Sequence, residues 1–171
     1  HATSTRLTAW QRYLGSVPGC DEGWGLYAES LADELGLMPT PEDRFGRLAA
    51  RRWRLARVLV DLGVHSRLPV PDDVAALPGA SREWNRATVT AVLRHHTVIS
   101  EGRLRFEVSR HLGWPAQPLA YAVGERVWQA GRRSAQAQAR AEGGELDLRA
   151  FHNRGIDLGS VGLDLLASAL H

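Results

Sequence analysis

Apolar residues recur at helical spacing along most of the chain. Leu7, Trp10 and Leu14 follow this period in residues 3–14, as one face of an amphipathic helix does. The longest periodic run covers residues 42–65, where apolar positions alternate with a basic surface made of Arg47, Arg51, Arg52, Arg54 and Arg57. No segment shows a convincing strand pattern. The pattern predicts an all-α protein, a multi-helix array.

Capping and breaking residues place the helix ends. We expect helices at about 3–14, 22–35, 42–65, 82–96, 101–113, 117–142, 147–154 and 161–170. Gly36 is a candidate C-cap, and Thr40 a candidate N-cap between two prolines. Residues 15–21 and 142–146 are expected to form a loop and a turn, and residues 68–79 a loop or a short helical turn. The length of 171 residues suits a single helical domain over residues 1–171.

Composition limits the partners and the compartment. The net charge of +2 is too small to indicate nucleic-acid binding, and no apolar run approaches the length of a membrane span. No signal-peptide pattern opens the sequence, and we expect a cytoplasmic protein. Cys20 is the only cysteine, which excludes an internal disulfide and a cysteine-built zinc site.

The nine residues that begin at Glu22 have an unusual composition for a helix. Glu22 and Glu29 are seven residues apart, which places both carboxylates on one helix face. Gly23 and Gly25 lie between them, and each glycine costs a helix roughly 1 kcal/mol relative to alanine. A helix that tolerates both glycines is expected to approach another backbone closely. A tightly packed helix with solvated carboxylates explains the spacing equally well.

The histidines form no complete metal motif of their own. No pair has the His-x-x-x-His spacing that places two ligands on one helix face. His95 and His96 are adjacent and would point about 100° apart on a helix, which makes them a weak metal candidate. The sequence also contains neither a glycine-rich phosphate loop nor a Gly-x-Ser-x-Gly elbow.

Five ordered segments resemble the motifs of one bacterial family, domain of unknown function 885. The sequence Glu-Gly-Trp-Gly-Leu-Tyr-Ala-Glu at 22–29 resembles its signature. The other four segments are 44–48, 53–65, 107–121 (Glu-Val-Ser-Arg and then Trp-Pro-Ala-Gln-Pro-Leu-Ala-Tyr) and 147–152. The chain departs from the family pattern in the loop 68–82 and at Leu62, Ala116, Pro118 and Asn153, where the family has Thr, Gly, Ala and Asp.

The resemblance implies the C-terminal part of a zincin-like helical metallopeptidase. Members of the family carry His-Glu-x-x-Pro-Gly-His shortly before the signature, in which the two histidines would bind zinc and the glutamate would activate a water. The first glutamate of the signature, Glu22 here, would be the third ligand. His1 stands 21 residues before Glu22, where the last motif histidine falls, and would be another zinc ligand. A purification-tag remnant or an irrelevant terminal residue is the alternative for His1.

Because the zinc motif is incomplete in this chain, we expect the chain to need a partner. A catalytic zinc site needs three protein ligands and an open position, and this chain offers at most two. We expect the chain alone to bind zinc weakly and to be inactive. A missing N-terminal segment, or a companion chain with His-Glu-x-x-Pro-Gly, would complete a site that hydrolyses a peptide or related amide bond. The alternatives are another metal ion in place of zinc, and a non-catalytic helical subunit or binding module that retains the cleft.

Four further residues are candidates for contact with the substrate. Tyr121 could act as a catalytic residue that stabilises an oxyanion, with a core aromatic as the alternative. Gln117 is four residues before Tyr121 and would share its helix face. Arg110 could pair with a substrate carboxylate, although a structural pair with Glu107 is at least as plausible. His152 is a possible substrate contact.

Three residues would act from behind the zinc ligands. Asp61 and His65 are four apart on the long helix, which suits a hydrogen-bonded pair that supports the metal ligands from behind. A protonated histidine stabilised by the helix dipole is the alternative for His65. Glu29 could orient a ligand histidine.

Overall fold

The computed structural model describes residues 5–171, and all regular elements in that range are helices. The prediction of an all-α protein is confirmed. None of these helices is long and apolar enough to cross a membrane. In chain order they are α1 (Ala9–Tyr13), α2 (Pro18–Glu34), α3 (Pro41–His65), α4 (Asp72–Ala75), α5 (Arg86–His96), α6 (Glu101–Gly113), α7 (Leu119–Ala141), α8 (Leu148–Ile156) and α9 (Leu163–Leu170).

The chain divides into two compact units. The first unit combines residues 1–31 with residues 120–171, and the second consists of residues 32–119. The first unit is therefore assembled from segments that are far apart in sequence. The prediction of one domain over residues 1–171 stays a prediction.

The core of the first unit is centred on Trp128. This side chain is 1 % exposed and packs with Phe151, Leu166 and Leu170, each fully buried. A Cβ on Gly155 would collide with the Trp128 ring, so glycine is needed there for α8 to approach the indole. Large side chains in close packing of this kind supply most of the hydrophobic stabilisation of a unit this small.

The core of the second unit lies among α3, α5 and α6. Val60 of α3 and Val89, Val92 and Leu93 of α5 are fully buried there. The apolar positions recur three or four residues apart, which turns one face of each helix toward the others.

Helix caps are formed where local sequence predicts them. Thr40 and Asp43 make a capping box at the start of α3, with the Asp43 amide 3.1 Å from the Thr40 hydroxyl. Gly36 has a φ of +73°, and its amide donates to the Asp33 carbonyl at 3.0 Å in a Schellman-type end of α2. Both cap predictions are confirmed.

Three predicted boundaries are wrong. Residues 18–21 belong to α2 rather than to a loop, because Pro18 occupies the first helical position, where its missing N–H costs nothing. The helix expected from residue 82 begins at Arg86, since Asn85 caps it and accepts from the Thr88 amide at 3.0 Å. The helix expected over residues 3–14 is shorter: within the described residues, α1 covers only Ala9–Tyr13 and is capped by Thr8.

Candidate functional site

The backbones of α2 and α7 touch at a pair of glycines. A Cβ on Gly23 would collide with Gly124 Cα, and a Cβ on Gly124 would collide with the Gly19 carbonyl. Only glycine fits at Gly23 and Gly124, which confirms the predicted close approach for Gly23. For Gly25, in contrast, no described atom beyond its own stretch of helix backbone lies within 4 Å of a built Cβ, and packing does not explain this glycine.

Glu22 lies directly before this glycine contact. Its side chain is partly buried, and within residues 5–171 it makes neither a hydrogen bond nor an ion pair. Glu29, two turns further along α2, is engaged with other residues. The carboxylate of Glu22 is therefore the one of this pair that is available to an added group.

The described residues do not contain a complete metal site. In that part of the chain, no three His, Cys, Asp or Glu side chains are close enough together to hold an ion. His1, the second predicted ligand, lies outside the described residues. Any metal held by Glu22 would need ligands from elsewhere.

Tyr121 lies in the first turn of α7, one turn before Gly124. Its side chain is partly buried and engaged with another residue. Because Gly23 and Gly124 are in contact, Glu22 and Tyr121 are carried by two helices whose backbones touch. This contact gives their helices a fixed separation, which a site built from both residues would need.

His152 is held in an aromatic cluster with Tyr27. Its Nε2 atom is 2.8 Å from the Tyr27 hydroxyl, and its ring contacts those of Trp24 and Phe151. Tyr27 is 2 % exposed and stacks on Trp128. The role of His152 as a substrate contact stays a prediction. Sequence reasoning did not single out Tyr27, although its place inside the signature segment was a signal.

Asp61 holds a turn rather than a histidine. Both of its carboxylate oxygens accept from the Ala116 amide, at 3.0 and 3.1 Å. Ala116 has a φ of +66° and follows Pro115, the arrangement of a type II turn, where position three favours glycine. The closest distance between Asp61 and His65 is 3.9 Å. Asp61 therefore lies closer to the Ala116 amide than to His65, the partner that the spacing predicts.

His65 connects the end of α3 to the end of α6. Its Nε2 atom is 2.8 Å from the His111 carbonyl oxygen, so the imidazole donates this hydrogen bond. The hydrogen bond fixes the tautomer of His65 with its proton on Nε2.

Glu107 and His111 form a buried pair on α6 that sequence reasoning did not select. Glu107 is fully buried, His111 is 1 % exposed, and Glu107 Oε2 is 3.2 Å from His111 Nε2. Arg103 approaches Glu107 at 2.8 Å. Burial, and then the charge of Arg57, lowers the pKa of His111 from 6.5 to about 4, against the opposing effect of Glu107. His111 is therefore neutral at neutral pH.

Gln117 and Arg110 are both held by neighbours in the second unit. Gln117 precedes α7, so the prediction that it shares a helix face with Tyr121 is wrong in its geometry. Its Oε1 atom accepts from Arg57 Nη2 at 3.1 Å. Arg110 lies over the Trp114 ring at 5.0 Å and 4.0 Å from Glu107, which favours the structural alternative for this residue.

Comparison with known proteins places the chain in a family. The sequence model described as "Bacterial protein of unknown function (DUF885)" matches residues 1–170. No match is found among curated proteins. A solved structure, "the putative lipoprotein from Colwellia psychrerythraea", is similar with 26% identity and a TM-score of 0.76 over 94% of this chain. The match covers 24% of that protein, so the chain spans about a quarter of its length. The chain belongs to the DUF885 family.

Proposed function

We propose that this chain is the Glu22-bearing part of a zinc-dependent hydrolase that cleaves peptide or related amide bonds. The observation that supports the proposal is the carboxylate of Glu22, which has no partner within residues 5–171. Its oxygens reach solvent, so an added cation can approach them. Carboxylate oxygen is an ordinary zinc ligand in proteins, and Glu22 is the first residue of the family signature.

The chain suits one position of a zinc site rather than the whole site. Glu22 would be a carboxylate ligand, and His1 a second ligand. The remaining ligand and the general base would come from a companion polypeptide with His-Glu-x-x-Pro-Gly. When bound, zinc would lower the pKa of a water and polarise the scissile carbonyl.

Tyr121 would stabilise the transition state from α7. Its phenol O–H would donate to the oxyanion that develops on the former carbonyl oxygen. The contact between Gly23 and Gly124 keeps α7 against the helix of Glu22. This rigid pairing would hold the Tyr121 hydroxyl in place before the reaction begins. A donor that needs no reorientation stabilises the transition state most effectively.

Gln117 is a further candidate for contact with the substrate. Its Oε1 atom is engaged by Arg57, which leaves the Nε2 amide to donate to a peptide carbonyl. Asp61 binds the amide of Ala116, the residue directly before Gln117. Asp61 would thus position the segment that carries Gln117. Arg110 and His152 are further candidates for contact with the substrate.

A peptidase assay of the chain with its companion polypeptide tests the proposal. Glu22→Gln keeps the shape of the side chain and removes its charge, and we expect it to abolish hydrolysis. Tyr121→Phe should lower kcat about 10²-fold and leave KM nearly unchanged. Glu145→Gln makes the same chemical change as Glu22→Gln on an exposed residue and should keep full activity. Full hydrolysis by the Glu22→Gln protein would contradict the proposal and favour a non-catalytic binding module.

A further inference from the structure

Helix α3 leaves a row of large apolar side chains uncovered between Phe45 and Leu55. Phe45, Leu48 and Leu55 are 75%, 53% and 46% exposed. Leu48 is three residues after Phe45, and Leu55 is seven residues after Leu48, so the three side chains share one helix face. Later in the same helix, Ala56 and Val60 are at most 5% exposed in the core of the second unit. The change from buried to exposed apolar positions within one helix marks a surface that suits a partner.

This face is one wall of a groove of about 670 Å³, here called the α3 groove. The opposite wall is the segment after α5, where Val98 is fully exposed. Most of the lining is apolar or aromatic: Phe45, Leu48, Trp53, Val98 and Ile99. A second hollow of about 400 Å³, lined by Leu48, Leu55 and Leu59, continues from it along α3. Together the two hollows form a track that suits a helix rather than a small molecule.

The lining of the α3 groove and its continuation has a positive charge. Arg52 lines both hollows, and none of the described residues that line them has a carboxylate. Arg51 lines the second hollow and is engaged with another residue. Arg52 Nε donates to His96 Nδ1 at 3.1 Å, which fixes this guanidinium at the wall. Burial, then Arg52 and then His95 lower the pKa of His96, with Asp73 acting in the opposite direction. The surroundings of His96 therefore disfavour a further positive charge.

We propose that the α3 groove receives an acidic amphipathic helix from the part of the DUF885 fold that this chain does not contain. The apolar face of the helix would cover Phe45, Leu48 and Leu55, and its carboxylates would face Arg52. The similar solved structure continues well beyond the matched quarter of its length, which provides chain for this role. The proposal shares with the proposed function the need for a further part of the fold, and it requires neither zinc nor hydrolysis.

A second copy of this chain is a poorer occupant. A two-fold contact places the same surface on both sides, so Arg52 would meet its own counterpart. Like charges brought together in a partly desolvated contact oppose association. An acidic helix has the complementary charge and the same apolar character.

Fluorescence anisotropy with a designed peptide tests this surface on the chain as it is. The probe is a labelled helical peptide of about 20 residues with leucines on one face and glutamates elsewhere. The matched probe replaces each glutamate by lysine. We expect the glutamate peptide to bind at least about tenfold more tightly than the lysine peptide, and its binding to weaken as salt screens the arginines.

Variants of exposed residues locate the binding. Leu48→Asp and Phe45→Asp should each weaken binding of the glutamate peptide by about tenfold or more, since each puts a carboxylate in its path. Leu165→Asp on α9, at a side chain that is 66% exposed, should leave it unchanged. Far-UV circular dichroism should show all three variants folded.

Three results would overturn the inference. Equal binding of the two peptides, or unchanged binding by both groove variants, would show that the α3 groove does not select an acidic helix. A dimer in sedimentation velocity that Leu48→Asp dissociates would assign the groove to a second copy. None of these results affects zinc binding or hydrolysis, so failure here is distinguishable from failure of the proposed function.

Discussion

Ala116 adopts a backbone conformation that alanine rarely takes. Its φ of +66° lies in the left-handed region, where a Cβ costs roughly 1–2 kcal/mol. Asp61 compensates this cost by binding the Ala116 amide with both carboxylate oxygens. The turn before Gln117 is thus held by a buried acidic residue 55 positions earlier in the chain.

We predict that Ala116→Gly stabilises the protein by about 1 kcal/mol, because glycine adopts a positive φ without the steric cost. The measurement is the free energy of unfolding from a urea titration. Ala137→Gly is the control, at an exposed position inside α7, and it should destabilise the protein by about 1 kcal/mol. A loss of stability in Ala116→Gly would show that the turn does not strain alanine.

His111 should make stability depend on pH. Its pKa in the folded protein, about 4, is below its ordinary 6.5. Between these values the unfolded chain binds a proton that the folded protein does not, so the contribution is complete above pH 6.5 and is lost as pH falls toward 4. We expect a loss of up to roughly 3 kcal/mol across this window, measured by urea unfolding at several pH values.

The matched variants for this prediction are His111→Gln and His171→Gln. Removal of the buried imidazole in His111→Gln should flatten the pH dependence between pH 4 and 6.5. His171 is exposed at the end of the chain, and its replacement should leave the slope unchanged. An unchanged slope in His111→Gln would assign the acid sensitivity to other groups.

Some residue roles could not have been found from spacing. The Asp61–His65 interval of four correctly predicted that the two residues are neighbours on α3, yet Asp61 bonds to a turn that no local pattern connects to it. The burial of Glu107 and His111 results from packing among three helices. Sequence periodicity gives the face on which a residue lies and not what that face contacts.

Gly23 and Gly25, both in α2, provide a test of the contact between α2 and α7. Gly23→Ala should destabilise the protein by about 3 kcal/mol or more, because its Cβ would meet the backbone of Gly124, which cannot rotate away. Gly25→Ala adds the same methyl group in the same helix, where nothing lies within 4 Å. It should stabilise the protein by up to about 1 kcal/mol. Similar effects of the two changes in thermal unfolding would exclude the close backbone contact.

The elements were predictable where their signals are local. The capping box at Thr40 and the left-handed Gly36 are encoded within four residues, and both were found. The start of α2 was missed because Pro18 and Gly19 are common in loops, whereas here Gly19 lies where the α7 backbone passes. Gln117 was misplaced for a related reason, since Pro118 and the turn at Ala116 delay the start of α7.

At the scale of the whole molecule, family membership and an all-α fold are established, and the chemistry is a proposal. The chain matches about a quarter of the length of a solved relative, and the proposed zinc site would draw its remaining ligand from a companion polypeptide. Sequence motifs identified Glu22 as the candidate ligand, and the structure leaves its carboxylate without a partner in residues 5–171. The cytoplasmic location stays a prediction.

The zinc content of the chain in complex with a companion polypeptide that carries His-Glu-x-x-Pro-Gly tests the central claim most directly. Elemental analysis should give about one zinc per complex for the native chain and for Glu145→Gln, as expected for a site with three protein ligands and an open position. Glu22→Gln should retain little zinc, because a neutral amide is a weak ligand for this ion. Full zinc occupancy in the Glu22→Gln complex would contradict the assignment of Glu22 as a metal ligand.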